Sequence, residues 1–91
     1  MYFVVEIDFN SGESQYFAYA DFESAQESYV DTEYKIGKGE ALESGQTEVP
    51  VEVELYRVEA NTEQGAKDTI KRGEGLLIED SNPMHTDSVE V

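Results

Sequence analysis

Carboxylates recur at regular spacings in three places along this chain of 91 residues. The positions are Glu6 and Asp8, then Glu23, Glu27 and Asp31, then Glu52 and Glu54. Residues four apart on a helix advance about 6 Å along its axis, and residues two apart on a strand advance about 6.6 Å. That interval is close to the spacing of successive phosphates along one DNA strand. We therefore predict that these acids bind a partner, together with Tyr34, because exposed tyrosines are good interface anchors.

Cysteine and histidine, which often serve as the nucleophile and the base in catalysis, are absent or scarce. The chain has no cysteine, and its one histidine, His85, lies in a segment without periodicity near the end of the sequence. Catalytic carboxylate pairs sit in apolar pockets that raise the pKa of one member, whereas the acids here have other acids as neighbours. We predict no enzymatic activity, no catalytic residue and no cofactor.

The sequence from Asp8 begins like the pattern of a calcium-binding loop but then departs from it. The segment from Asp8 to Gly12 has suitable residue types, but its glycine comes one place too early. Glu13 occupies the place of that glycine, and Tyr19 stands where the loop needs a bidentate glutamate. The pattern favours a hairpin turn, and we predict no metal site.

The charge of the chain narrows the class of partner. It contains 21 Asp and Glu against 6 Lys and Arg, for a net charge of −15. This excess argues against direct binding of nucleic acid or of an anionic membrane, and it favours a basic protein surface. No apolar run reaches membrane-spanning length and the N-terminus has no basic signal-peptide region, so we expect a cytoplasmic setting.

Periodicity predicts the elements that must position the acids. Apolar residues alternate from Met1 to Phe9, and an aromatic run from Gln15 to Ala20 follows as the return strand of a hairpin. A helix is predicted from about Phe22 to Tyr34, with Asp21 as its N-cap. A long glycine-containing loop then covers residues 37–49.

The second half of the chain is predicted to contain a strand, a helix and a further strand. A strand is predicted over Val51 to Ala60, and its apolar set changes parity at Tyr56, either through a bulge or because both faces are covered. A second helix follows, with Asn61 as N-cap and with Ala66 and Ile70 toward the core. A short apolar run at residues 76–78 predicts a closing strand.

The order β-β-α-β-α-β predicts an α+β fold. We expect a two-layer sandwich, in which a four-stranded, largely antiparallel sheet carries two helices on one face. Residues 1–80 would form a single domain, and residues 81–91 a flexible C-terminal tail.

In size, charge and lack of catalytic groups, the chain resembles the small acidic inhibitors that phages make against host DNA-binding machinery. These include DNA-mimicking anti-restriction and anti-CRISPR proteins. The resemblance implies a non-enzymatic inhibitor that occupies a basic nucleic-acid-binding surface. The alternative is an accessory or self-associating domain whose acidic surface provides only solubility or salt tolerance.

Overall fold

The predicted strands and helices are all present in the computed structural model, which describes residues 1–81. They are β1 (Tyr2–Phe9), β2 (Ser14–Tyr19), α1 (Phe22–Lys38), β3 (Pro50–Val58), α2 (Glu63–Lys71) and β4 (Leu76–Asp80). The strands form one antiparallel sheet in the order β2-β1-β3-β4. The predicted α+β class, element order and four-stranded antiparallel sheet are therefore confirmed.

The two helices lie on opposite faces of this sheet, so their predicted placement on one face is wrong. Val5 packs in a core cluster with Ala25 of α1, whereas the adjacent Val4 packs with Ala66 and Ile70 of α2. Successive side chains of a strand point to opposite faces. The molecule therefore has a helix layer on each side of the sheet, which we call the α1 side and the α2 side.

This arrangement explains the parity change in β3. Val53 and Leu55 are buried on the α1 side, and Val58 is buried on the α2 side. Of the two explanations that the sequence left open, coverage of both faces is the one that holds. A register shift does occur beside Tyr56, but the extra residue is Ile78 of β4.

Helix α1 begins where predicted and ends later. Asp21 is the N-cap, and its side chain accepts a hydrogen bond of 2.9 Å from the Ser24 backbone N–H, which lowers the pKa of Asp21. The helix runs through Gly37 to Lys38 and closes at Gly39, which adopts φ 68°. A left-handed glycine is a common helix end, and Gly39 rather than Gly37 takes that role here.

The start of α2 differs from the prediction by one residue. Thr62, and not Asn61, is the N-cap, because its hydroxyl accepts a hydrogen bond of 3.0 Å from the Gly65 backbone N–H. Ala66 and Ile70 face the core as expected. Both Asn and Thr are suitable N-cap residues, so the sequence alone left a choice between neighbours.

The segments that follow α1 and β4 are each bonded to the rest of the fold. In the segment that follows α1, the Leu42 carbonyl accepts a 3.1 Å hydrogen bond from the Lys35 ammonium, and the Leu42 side chain packs against the α1-side cluster. The Ser81 backbone N–H donates a hydrogen bond to the Val53 carbonyl, and the Ser81 hydroxyl accepts one from the Val53 N–H. The rest of the predicted tail, with His85, lies outside the described residues. Neither helix of residues 1–81 has the length and apolarity needed to cross a membrane.

Candidate functional site: an acidic patch on the sheet

Helix α2 covers only one end of the α2 side of the sheet. Val4 and Val58 are buried beneath it. Toward the other end, the same face carries half-buried carboxylates. They are Glu6 and Asp8 of β1, Glu52 and Glu54 of β3, and Asp80 of β4, and together we call them the sheet patch.

Strand register brings these acids together. Glu6 lies directly opposite Glu54, Asp8 lies opposite Glu52, and Glu54 lies opposite Asp80 on its other side. The carboxylate oxygens of Glu6, Asp8 and Glu54 lie within 4.8 Å of one another, as do those of Glu52, Glu54 and Asp80. Like charges directly opposite each other in a sheet destabilise it. The sheet patch is therefore a place where the fold tolerates repulsion.

The neighbouring carboxylates make it harder for Glu6 to lose its proton. Burial and the negative charges of Asp8 and Glu54 raise the pKa of Glu6 to about 7. Burial also raises the pKa of Glu54, with further contributions from Asp80 and Glu52, although hydrogen bonding with Tyr56 opposes the shift. Near neutral pH, Glu6 therefore exchanges between a charged and a neutral carboxyl group.

Polar side chains border the patch. The Ser14 hydroxyl of β2 donates a hydrogen bond to Asp8. Burial raises the pKa of the Tyr16 and Tyr56 hydroxyls, and the charges of Glu6 and Glu54 raise it further, so both phenols are neutral donors. Within residues 1–81, no lysine or arginine forms an ion pair with Glu6 or Glu54.

The predicted acids of α1 form a separate surface. Glu23, Glu27 and Asp31 lie with Tyr34 along the outer side of the helix, and we call these four residues the helix row. Asp31 forms an ion pair of 3.2 Å with Lys35. The Tyr34 side chain is 59% exposed and lies beneath the Lys38 ammonium, 5.1 Å from the ring centroid.

The predicted binding residues thus divide between two surfaces on opposite sides of the sheet. The structure brings Glu6, Asp8, Glu52 and Glu54 together, and it places the helix row elsewhere. Sequence reasoning missed Asp80. The apolar run at residues 76–78 was the only sign of β4, and the sequence does not show that β4 pairs with β3 in a register that sets Asp80 opposite Glu54.

The sheet patch can accept cationic groups and can share a proton between neighbouring carboxyls. Oxygen ligands at this separation also suit hard metal ions. Groups of acids accessible to solvent are common without a metal, so their spacing alone assigns none. The segment after Asp8 forms the predicted hairpin turn, in which the Phe9 N–H bonds the Glu13 carbonyl and Gly12 adopts φ 93°.

Comparisons with protein-family models, with curated proteins and with solved structures gave no match for this chain.

Proposed function

We propose that this protein is a non-enzymatic acidic interaction protein that uses the sheet patch to occupy a basic, nucleic-acid-binding surface of another protein. The observation that carries the proposal is the cross-strand pairing of Glu6 with Glu54 and of Asp8 with Glu52. Each pair sets two carboxylates side by side, at a cost in stability. Lysine or arginine side chains of a partner would relieve that repulsion on binding.

The rigidity of the patch supports this use. Four of its five acids, those other than Asp80, project from the two central strands, β1 and β3, which pair with neighbours on both sides. Pairing on both sides holds the backbone of these strands in place, so less conformational entropy is lost when a partner binds than if the acids lay on a mobile loop. Fixed acids at intervals of about 6.6 Å along a strand resemble a row of phosphates more closely than acids on a mobile loop would.

The helix row is the weaker candidate for the same role. Lys35 already neutralises Asp31, and the Lys38 ammonium covers Tyr34. A basic partner would have to displace these cations before it could gain from Asp31 or from the face of the Tyr34 ring. The helix row would therefore have a secondary part in binding.

Matched neutralising variants test the assignment. One variant combines Asp8→Asn, Glu52→Gln and Glu54→Gln, and the other combines Glu23→Gln, Glu27→Gln and Asp31→Asn. Each replaces one Asp and two Glu, so each takes the net charge from −15 to −12. The immobilised proteins are used to capture partners from a lysate of the source organism, and the captured partner then competes with duplex DNA.

We expect the sheet variant to lose roughly ten-fold or more in affinity and the helix variant less than about three-fold, because closely paired charges contribute most. Capture should fall between about 50 mM and about 500 mM salt, which spans the range over which exposed charges become screened. Equal losses from the two variants would reject a positioned patch. Capture that salt does not weaken, or a partner that does not bind DNA, would reject the proposed class of target.

A further inference from the structure

The outer edge of β2 differs from the rest of this acidic molecule. β2 pairs with β1 along one edge, and no strand among residues 1–81 pairs along the other. Its sequence, SQYFAY over Ser14–Tyr19, has no Lys, Asp, Glu or Pro. Proteins usually protect such edges with charges, prolines, bulges or a covering element. Near the middle of this strand, the Phe17 side chain is 37% exposed.

The opposite edge of the sheet has the protection that β2 lacks. β4 has five residues, and two of them are the acids Glu79 and Asp80. Its pairing with β3 is interrupted by the extra residue Ile78. Bulges and charges both discourage further strand addition. The two edges of one sheet therefore differ in whether they can accept another strand.

The charge near the middle of β2 opposes association less than the charge of the acidic surfaces does. The groove between β2 and α2 is lined by no acid, and its lining includes Lys67 and Lys71. The Lys71 ammonium lies over the Tyr16 ring, 5.4 Å from its centroid. Two molecules that each carry a charge of −15 repel each other, and that repulsion is smallest where acids are absent and lysines are present.

We propose that the outer edge of β2 binds β2 of a second copy of this chain, so that two sheets join into one antiparallel sheet of eight strands. A strand that pairs with its own copy about a two-fold axis meets an identical neutral, aromatic strand. Phe17 then lies next to the partner's Phe17 or diagonally across from it, and aromatic cross-strand pairs stabilise a sheet. This inference rests on the β2 edge and not on the proposed function.

The dimer has a consequence for the sheet patch. A two-fold axis perpendicular to the joined sheet places both α2 sides on the same side of the dimer. Each patch is centred between β1 and β3, so the two centres are separated across the strands by about four strand spacings, or about 19 Å. The dimer would therefore present two acidic patches in one direction.

Analytical ultracentrifugation of the full chain tests the inference. We expect a concentration-dependent dimer that tightens between about 0.1 M and about 1 M salt, because salt screens the repulsion between copies. Phe17→Lys should weaken dimerisation at least ten-fold. Ile78→Lys is the matched control, because Ile78 is 38% exposed and lies on the other edge, and it should change the dissociation constant less than about three-fold.

A spin-label measurement covers the case in which Phe17→Lys fails to fold. The chain has no cysteine, so Gln15→Cys, at an exposed position of β2, places one nitroxide on each copy. The dimer predicts a label separation below about 25 Å, whereas labels at Ile78→Cys would lie at least about 34 Å apart across the strands. A monomer at all concentrations and salt levels, a dimer that Ile78→Lys weakens as much as Phe17→Lys, or a longer Gln15 separation would overturn the proposal.

Discussion

The sheet patch and the helix row contain similar residues in different surroundings. The acids of the patch are half-buried and lie opposite one another, and the pKa of Glu6 is raised to about 7. The acids of the row are exposed, and Asp31 has a lysine one helical turn away. The same spacing along the sequence thus gives a strained cluster in one place and a solvated, partly neutralised surface in the other.

The difference shows that the surroundings of an acid depend more on which elements lie beside its own than on the spacing of acids along the sequence. Acids on one helix face are separated by a full turn and can be neutralised by a residue of the same helix. Acids on a strand are brought against acids of the next strand by the register, which side chains of both faces determine together. Burial then makes the repulsion between them harder to screen.

The largest expected effect concerns the core beneath the patch. Ile7 lies between Glu6 and Asp8 in β1 and is 2% exposed on the α1 side. Ile7→Ala should lower the free energy of unfolding by about 2–5 kcal/mol, because it leaves a cavity in a packed cluster. Denaturant melts followed by circular dichroism measure the change.

Val30→Ala, on the outer side of α1, is the control for this substitution. Val30 is 53% exposed and belongs to neither core cluster, so its truncation should change stability by less than about 0.5 kcal/mol. A cost below about 0.5 kcal/mol for Ile7→Ala as well would mean that the α1 side does not hold the main core.

Glu6 should make the free energy of unfolding depend on pH. The pKa of Glu6 is raised in the folded protein, from an ordinary value of 4.5 to about 7. The folded state therefore binds a proton more tightly than the unfolded state does, and Glu6 favours folding fully below pH 4.5. This contribution is lost as the pH rises toward 7, so the free energy of unfolding should fall across that interval.

Glu6→Gln should raise stability above pH 7 and flatten the dependence on pH between 4.5 and 7. Glu27→Gln removes the same charge from the helix row and serves as the control for net charge. Urea melts at a series of pH values give the slopes, and carbon-13 NMR of the Glu6 carboxyl gives its midpoint. Identical slopes for wild type and Glu6→Gln, or a Glu6 midpoint near 4.5, would contradict the raised pKa.

Much of the fold could be predicted from local patterns. The alternation in β1, the Asp21 cap and the helix that follows it each depend on residues close together in sequence, and the structure agrees with them. The side of the sheet on which α2 packs depends on the second face of β1, where Tyr2 and Val4 were the available apolar residues. Those two positions precede Glu6 and Asp8, and a face that is half apolar and half acidic does not by itself indicate that a helix covers it.

The candidate site was predictable as a set of residues but not as a surface. The spacing of Glu6 with Asp8 and of Glu52 with Glu54 indicated two strand faces rich in acid. Their meeting depends on the pairing of β1 with β3, which are separated by a hairpin, a helix and a long loop. The sequence alone does not show that contact, so it predicts the helix row and the strand acids equally well as binding sites.

The smallest expected effect is a coupling free energy between two side chains, which should be attractive in the helix row and repulsive in the sheet patch. In a double-mutant cycle of Asp31→Asn and Lys35→Gln, we expect an attraction of about 0.3–0.5 kcal/mol, as for exposed pairs one helical turn apart, and it should shrink in high salt. The cycle removes the separate contribution of the Lys35 bond to the Leu42 carbonyl, which the single Lys35 variant also loses. The same cycle on Glu6→Gln and Glu54→Gln should give a coupling of opposite sign above pH 7, because two like charges lie opposite each other. Couplings of the same sign at both places would mean that the strand register does not impose repulsion in the sheet patch, and the contrast between the two surfaces would fail.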